Sequence, residues 1–451
     1  NTKLYTGNGS TQSITGVGFQ PDWTWIKRRD GSAFHVVTDS VRGATKQIYP
    51  NDSQAEGTRA QGLQSFDSDG YTLGNEGDTN ASSSSMASWN WLGAGTTPSK
   101  TYTVKVVSDS GNKYRFDDFG TSAVTLEISE GGTYTFDQAD SSNSGHPIRF
   151  STTSDGSHGG GSEYTTGVTT NGTPGNAGAY TRITVAASAP TLYYYCTAHS
   201  GMGGQANTPT TNSFSNFAGT IQSNISPNTT SGFSIVSYTG NGNSGQTVGH
   251  GLGSTVDMVI VKDRSRGSEN WVIYHKSLGK DKLLLFNTDA VATSSNYWGS
   301  STPNSTVFGV KDGNTSNNWS GDNFIAYCFA EKKGYSKFGS YTGNGNANGT
   351  FVYTGFKPAF VLTKSTSNAV NWQMQDNKTA PYNLMVNKLF ANTSASQDTG
   401  SENTVDFLSN GFKPRGTGSS ENINGNGYSY IYMAFAENPF TSSTGTPVTA
   451  R

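Results

Sequence analysis

The sequence predicts an all-β protein of tandem antiparallel sandwiches, and three observations carry that prediction. Short runs of Val, Ile, Tyr, Phe and Trp are separated by Ser, Thr, Asn and Gly, while Leu and the charged helix formers are sparse, so strand propensity prevails nearly everywhere. Turn dipeptides flank the apolar runs at Asp69-Gly70, Asn241-Gly242, Asp312-Gly313 and Asn410-Gly411, as hairpins require. Only 32% of the 451 residues are hydrophobic, yet aromatics hold at 12%. That balance suits several modest domains with aromatic anchors better than one large core.

The elements repeat. The string YTGNG stands at Tyr5 to Gly9, Tyr238 to Gly242 and Tyr341 to Gly345. Each copy is followed by a matching segment from Gly18, Gly251 or Gly355 that ends in a lysine, Lys27, Lys262 or Lys364. Each unit closes on an alternating aromatic and small-residue strand around Trp89, Cys328 or Ala434. A unit is therefore about 95 to 100 residues, the size of one sandwich domain. The first and second copies are separated by an insertion of roughly 130 residues, bounded by Pro/Thr-rich flanks that read as linkers. The expected organisation is a first repeat over 1–97, an inserted domain over 98–208, a linker over 209–231, repeats over 232–337 and 338–440, and an extended tail over 441–451.

Strands in the insertion alternate cleanly from Tyr102, Lys113, Val124 and Thr133, then in HPIRFS, TRITVA and TLYYYC, which predicts a sandwich of about seven strands. YYYCTAHSGMGG then places Cys196, His199 and Met202 on one tight loop, with His146 about 50 residues upstream at the start of HPIRF. A thiolate, two imidazoles and a weak axial thioether form the ligand set of a type 1 copper site. Gly201, Gly203 and Gly204 permit the tight backbone that brings three ligands from one turn. His158, in the polar loop from Ser154, is read as a solvated histidine rather than an extra ligand.

Composition excludes several classes. The formal net charge is −2, without the basic footprint of a nucleic-acid or polybasic membrane binder. No stretch approaches the ~20 apolar residues of a membrane helix, and the first residues carry no basic then apolar leader. The missing initiator Met suggests a processed or incompletely resolved start. Two cysteines, Cys196 and Cys328, are too few for a disulfide framework, although a bridge between them is left open. Asp67-Ser68-Asp69-Gly70 is a hairpin turn rather than a calcium loop. Carboxylates such as Asp39, Glu56 and Asp257 could form an acid/base pair, yet no pair recurs at a matched position across the three units and no nucleophile-elbow context exists, so no enzyme is expected. Trp298 and Trp319, in Ser/Asn/Gly-rich loops, are the candidate surface rings for carbohydrate stacking.

On these residues, the block containing Gly145-His146-Pro147, Cys196, His199 and Met202 resembles the cupredoxins, the plastocyanin-like family, over about 110 residues. The resemblance implies copper and an electron-transfer role, and the long polar loop from Ser154 departs from a minimal cupredoxin. The YTGNG and FAE-bearing units resemble jelly-roll or lectin-like modules of marine bacteriophage virion proteins, both tail-fibre-like and head-decorating. That resemblance implies a virion or extracellular structural protein, other virion proteins as partners, a homo-oligomer such as a trimer, and attachment to a host surface glycan or protein. A bacterial surface or filament protein is the remaining alternative.

Overall fold

The computed structural model describes residues 1–93, 97–300, 302–417 and 423–439; the predicted tail over 441–451 lies outside them. The chain is all-β and divides into two compact units. The first comprises 1–93, 228–246 and the residues from 252 onward, and the second 97–227 with 247–251. Among the described residues no helix is long and apolar enough to cross a membrane.

In the first unit the three sequence markers of each copy become three neighbouring strands. Copy 1 forms a sheet ordered Thr2–Thr6, Ser85–Trp91, Trp23–Arg28, Val36–Asp39. Copy 2 repeats that order with Phe233–Thr239, Asn323–Phe329, Met258–Asp263 and Val272–His275. Copy 3 does so with Ser336–Thr342, Ser429–Ala436, Pro358–Ser365 and Gln373–Asp376. In copies 1 and 3 a three-stranded sheet covers one face: Gln12–Thr15, Gly70–Leu73 and Leu63–Asp67, and Val352–Tyr353, Gly411–Pro414 and Val405–Leu408. The apolar residues between the layers include Ile14, Ile26, Tyr71 and Met86 in copy 1, and Val352, Phe407, Phe412 and Tyr432 in copy 3. Asp67 pairs with Gly70 across the predicted hairpin turn.

The opposite faces of the three copies meet in a core that the copies share. Trp23, Trp25, Trp89 and Trp91 of copy 1, Ile260, Trp271, Ile325 and Tyr327 of copy 2, and Phe360, Trp372, Ile431 and Phe435 of copy 3 belong to one continuous core. Trp23 lies 4.8 Å from Tyr327, Trp91 5.5 Å from Phe435, and Phe286 5.0 Å from Trp372, centroid to centroid. The cause is the strand pattern. Successive side chains point to opposite faces, and in Trp23–Arg28, Met258–Asp263 and Pro358–Ser365 nearly every position is buried. In copies 1 and 3 one face is covered by the copy's own three-stranded sheet, and in all three copies the other face packs into the shared core.

Polar groups close the ring in cyclic order. The buried Lys27 ammonium donates to the Ser394 carbonyl of copy 3, Lys262 to Ser53 of copy 1, and Lys364 to Asp289 of copy 2 (2.9, 3.1 and 3.0 Å). Burial lowers the pKa of each of these lysines to about 8. At a second matched position the His35 ring bonds the Phe390 carbonyl, while the Trp271 and Trp372 indoles donate to the Tyr49 and Leu285 carbonyls. A third set runs the other way round the ring. Tyr327 donates to Asp39, His275 bonds the Tyr432 carbonyl, and Trp89 donates to Asp376. Asp39 is thus one member of a threefold set with His275 and Asp376; it also pairs with buried Arg42, which reaches Glu56.

YTGNG is explained residue by residue. The tyrosine hydroxyl donates to the carbonyl of Thr79, Asn317 or Ile423 (2.6, 2.7 and 2.7 Å). The side-chain oxygen of the next residue, Asn80, Asn318 or Asn424, accepts from the backbone N–H of the motif asparagine. A side chain at Gly7, Gly240 or Gly343 would overlap a carbonyl oxygen of the opposite strand segment, and Gly9, Gly242 and Gly345 adopt φ of +68°, +70° and +62°, where glycine is favoured.

The second unit is a two-sheet sandwich. One sheet is ordered Asn112–Phe116, Ser99–Ser108, Thr133–Asp137, Tyr180–Thr184, Val168–Asn171; the other is ordered Leu126–Glu127, Gly204–Asn207, Leu192–Cys196, Ile148–Ser151. Tyr102, Phe116, Phe136, Phe150, Ile183 and Tyr194 fill the space between them. The stretch 209–231, expected to be a linker, carries strands Phe214–Asn216 and Ser223–Asn228. Phe217 enters the core, Tyr102 donates to the Ser215 carbonyl at 2.8 Å, and Gln222 donates to the Thr125 carbonyl at 2.7 Å. Side-chain to backbone hydrogen bonds hold this polar segment where apolar spacing is missing.

Candidate metal centre

Strand register assembles the site. Ile148 lies directly opposite Cys196 in the antiparallel pair, so His146, two residues earlier, emerges beside the end of the strand that carries the cysteine. Its backbone is fixed by three bonds. His146 N–H donates to Asn143 O (2.9 Å), and its carbonyl accepts from the Tyr114 hydroxyl (2.9 Å) and from Gln138 Nε2 (2.8 Å). Gln138 Oε1 also accepts from Ile148 N at 3.1 Å. Burial, and then the neighbouring Cys196 thiol, push the Tyr114 phenol well above its ordinary pKa.

Cys196 ends its strand fully buried, and the chain turns at once through His199 and Met202. Gly201 has φ +69°, and a side chain at Gly203 would overlap the Tyr194 carbonyl. Tyr114 N–H donates to the Met202 carbonyl at 3.0 Å, and Lys113 reaches the Gly201 carbonyl.

Three of the four predicted ligands converge. Cys196 Sγ lies 3.9 Å from His146 Nδ1 and 3.9 Å from His199 Nδ1, and the two rings are 4.5 Å apart. The three donor atoms fall within 4.8 Å of one another. An ion held at about 2.3 Å from sulfur and 2.0 Å from nitrogen separates a sulfur from a nitrogen by roughly 3.5 to 3.7 Å, close to the 3.9 Å between Cys196 Sγ and each Nδ1. Met202 is buried and lines a shallow depression with His199, Asn112, His158, Ala198 and Ser200. Burial and the neighbouring His199 lower the His146 pKa, favouring the neutral imidazole that binds metal. Soft sulfur with two imidazoles suits copper. Both cysteines are free, so the Cys196–Cys328 bridge left open by the sequence is not formed.

The other predicted residues separate. Trp298, expected at the surface, is 0% exposed and packs edge-on against Tyr274 at 5.7 Å. A large ring in a polar loop here anchors the loop inward. Trp319 is 39% exposed, with the Arg266 guanidinium 4.8 Å over its ring. His158 is exposed, but its Nε2 lies 3.0 Å from the Cys196 carbonyl, a contact that no local sequence pattern signalled.

The chain thus combines a repeated β scaffold with an inserted sandwich that carries a cysteine–histidine cluster. The chain belongs to the family described as Domain of unknown function (DUF7483), whose model matches residues 1–119 and 206–439. All four predicted ligands lie between those matched stretches. No curated protein and no solved structure matches the chain.

Proposed function

We propose that the inserted sandwich is a cupredoxin-like module whose His146, Cys196, His199 and Met202 bind one copper ion of type 1 character. The convergence of Cys196 Sγ with two Nδ1 atoms at 3.9 Å carries this reading. Bound copper would supply one-electron transfer. The chain's own residues provide a buried thiol, two imidazoles turned toward it, a buried methionine in the lining of the depression, and an exposed His199 through which a redox partner could be reached. Titrating the full chain with Cu(II) is expected to raise an intense visible thiolate-to-copper band at one equivalent, absent in Cys196→Ser. A chain that takes up no copper, or shows the same spectrum in Cys196→Ser, contradicts the proposal.

The rest of the chain favours a second, compatible role. We infer a structural protein of a virion or other extracellular assembly, a fibre or capsid-decoration subunit, homo-oligomeric and able to contact a host glycan or protein. Three copies closed round one core by cyclic clamps support a rigid, non-catalytic presenting scaffold. Mass spectrometry of purified particles against cells tests the location, and glycan-array or whole-cell binding tests attachment. Recovery with cells alone would favour a bacterial surface or filament protein.

A further inference from the structure

The polar loop that begins at Ser154 is the feature by which the insertion departs from a minimal copper-protein module, and it touches the ligand turn at both ends. Asp155 Oδ1 accepts from Gly201 N at 2.8 Å, one residue before Met202. His158 Nε2 lies 3.0 Å from the Cys196 carbonyl, at the start of the turn. A carbonyl only accepts, so Nε2 carries the proton in this bond. The loop is shaped for the contact. Residues Gly156–Gly159 form one 3₁₀ turn, Asp155 has φ +60°, and a side chain at Gly156 would come within 2.5 Å of the Tyr195 ring, so glycine lets the loop lie flat on that ring. From Asn112–Phe116, Tyr114 and Lys113 hold the same turn at Met202 and Gly201.

We propose that Asp155 and His158 are positioning residues for the metal centre. They clamp the backbone of the turn that carries Cys196, His199 and Met202, so that the ligands are ordered before metal arrives. This rests on the copper reading above. Outer contacts of this kind commonly change metal affinity by about 10- to 100-fold when removed, and the two bonds here are made to backbone atoms of the turn.

The test uses the full chain in two states. Without metal, hydrogen exchange of the peptide spanning 196–204 is expected to accelerate at least tenfold in the Asp155→Ala/His158→Ala double variant, with peptides from 99–108 and 133–137 unchanged. With Cu(II), the same variant is expected to bind about tenfold or more weakly and to shift the thiolate-to-copper band. Asp155→Asn and His158→Gln, which keep an acceptor and a donor, should restore both readouts. Unchanged exchange in the double variant overturns the proposal whatever the metal does, as does a wild-type band and affinity retained in it. A wild-type chain that gives no thiolate-to-copper band removes the copper reading itself, and with it the assignment of these two residues to a metal centre.

Discussion

The two units use polar side chains for different ends. In the three-copy unit the buried Lys27, Lys262 and Lys364, together with Asp39, His275 and Asp376, recur at matched positions and bond a neighbouring copy. In the inserted sandwich His146, Cys196 and His199 occur once, gather at one strand end, and turn their donor atoms toward each other. In the first arrangement each of these side chains is bonded to a group of a neighbouring copy. In the second, soft donors share one small volume. Buried polar groups repeated by symmetry point to assembly, and an unrepeated convergent set points to chemistry.

The largest effect expected from breaking this contrast lies in the shared core. Trp23→Ala should destabilise the first unit by about 3–5 kcal/mol. Because Trp23 packs on Tyr327 and Phe233 of copy 2, exchange in copies 1 and 2 should accelerate together, as read by denaturation with hydrogen-exchange mass spectrometry. Loss confined to residues 1–93 would show that the copies are independent.

A smaller effect sharpens the clamp. Burial lowers the His275 pKa to about 4, against about 6.5 in an unfolded chain. Between those values the unfolded chain binds a proton that the folded chain refuses. The contribution of His275 is therefore complete above about pH 6.5 and is lost as pH falls toward 4, by at most about 3 kcal/mol. Asp22, its pKa raised by burial to about 6, acts in the opposite sense, so the test is the difference between wild type and His275→Asn. The variant's stability should fall less steeply with acid; parallel curves would contradict the assignment.

The smallest effect tests equivalence of the copies. Tyr5→Phe, Tyr238→Phe and Tyr341→Phe each remove one hydroxyl from a carbonyl and should each cost about 1 kcal/mol in urea midpoints. A large cost in one copy with none in the others would break the threefold account.

Much of this was legible in the sequence because it was written locally. YTGNG, the lysine-ended segment and the closing aromatic strand mark the three strands that pair side by side in every copy. Cys196, His199 and Met202 share one turn, so their spacing was readable, and His146 followed from strand order. What escaped depended on partners distant in sequence. Asn80, Asn318 and Asn424 complete the YTGNG turns from more than 70 residues away. The double-sided burial of Trp23–Arg28 looked like one buried face because a run such as WTWIK does not say what covers its second side. Trp298 looked exposed because its neighbours are polar, and 209–231 looked like linker because hydrogen bonds, not apolar periodicity, hold it.

X-ray absorption at the copper edge of the reconstituted full chain tests the proposed centre most directly. The account predicts one copper per chain with a single short sulfur shell and two imidazole nitrogens. A shell of oxygen and nitrogen alone, or copper scattered over several sites, would contradict it.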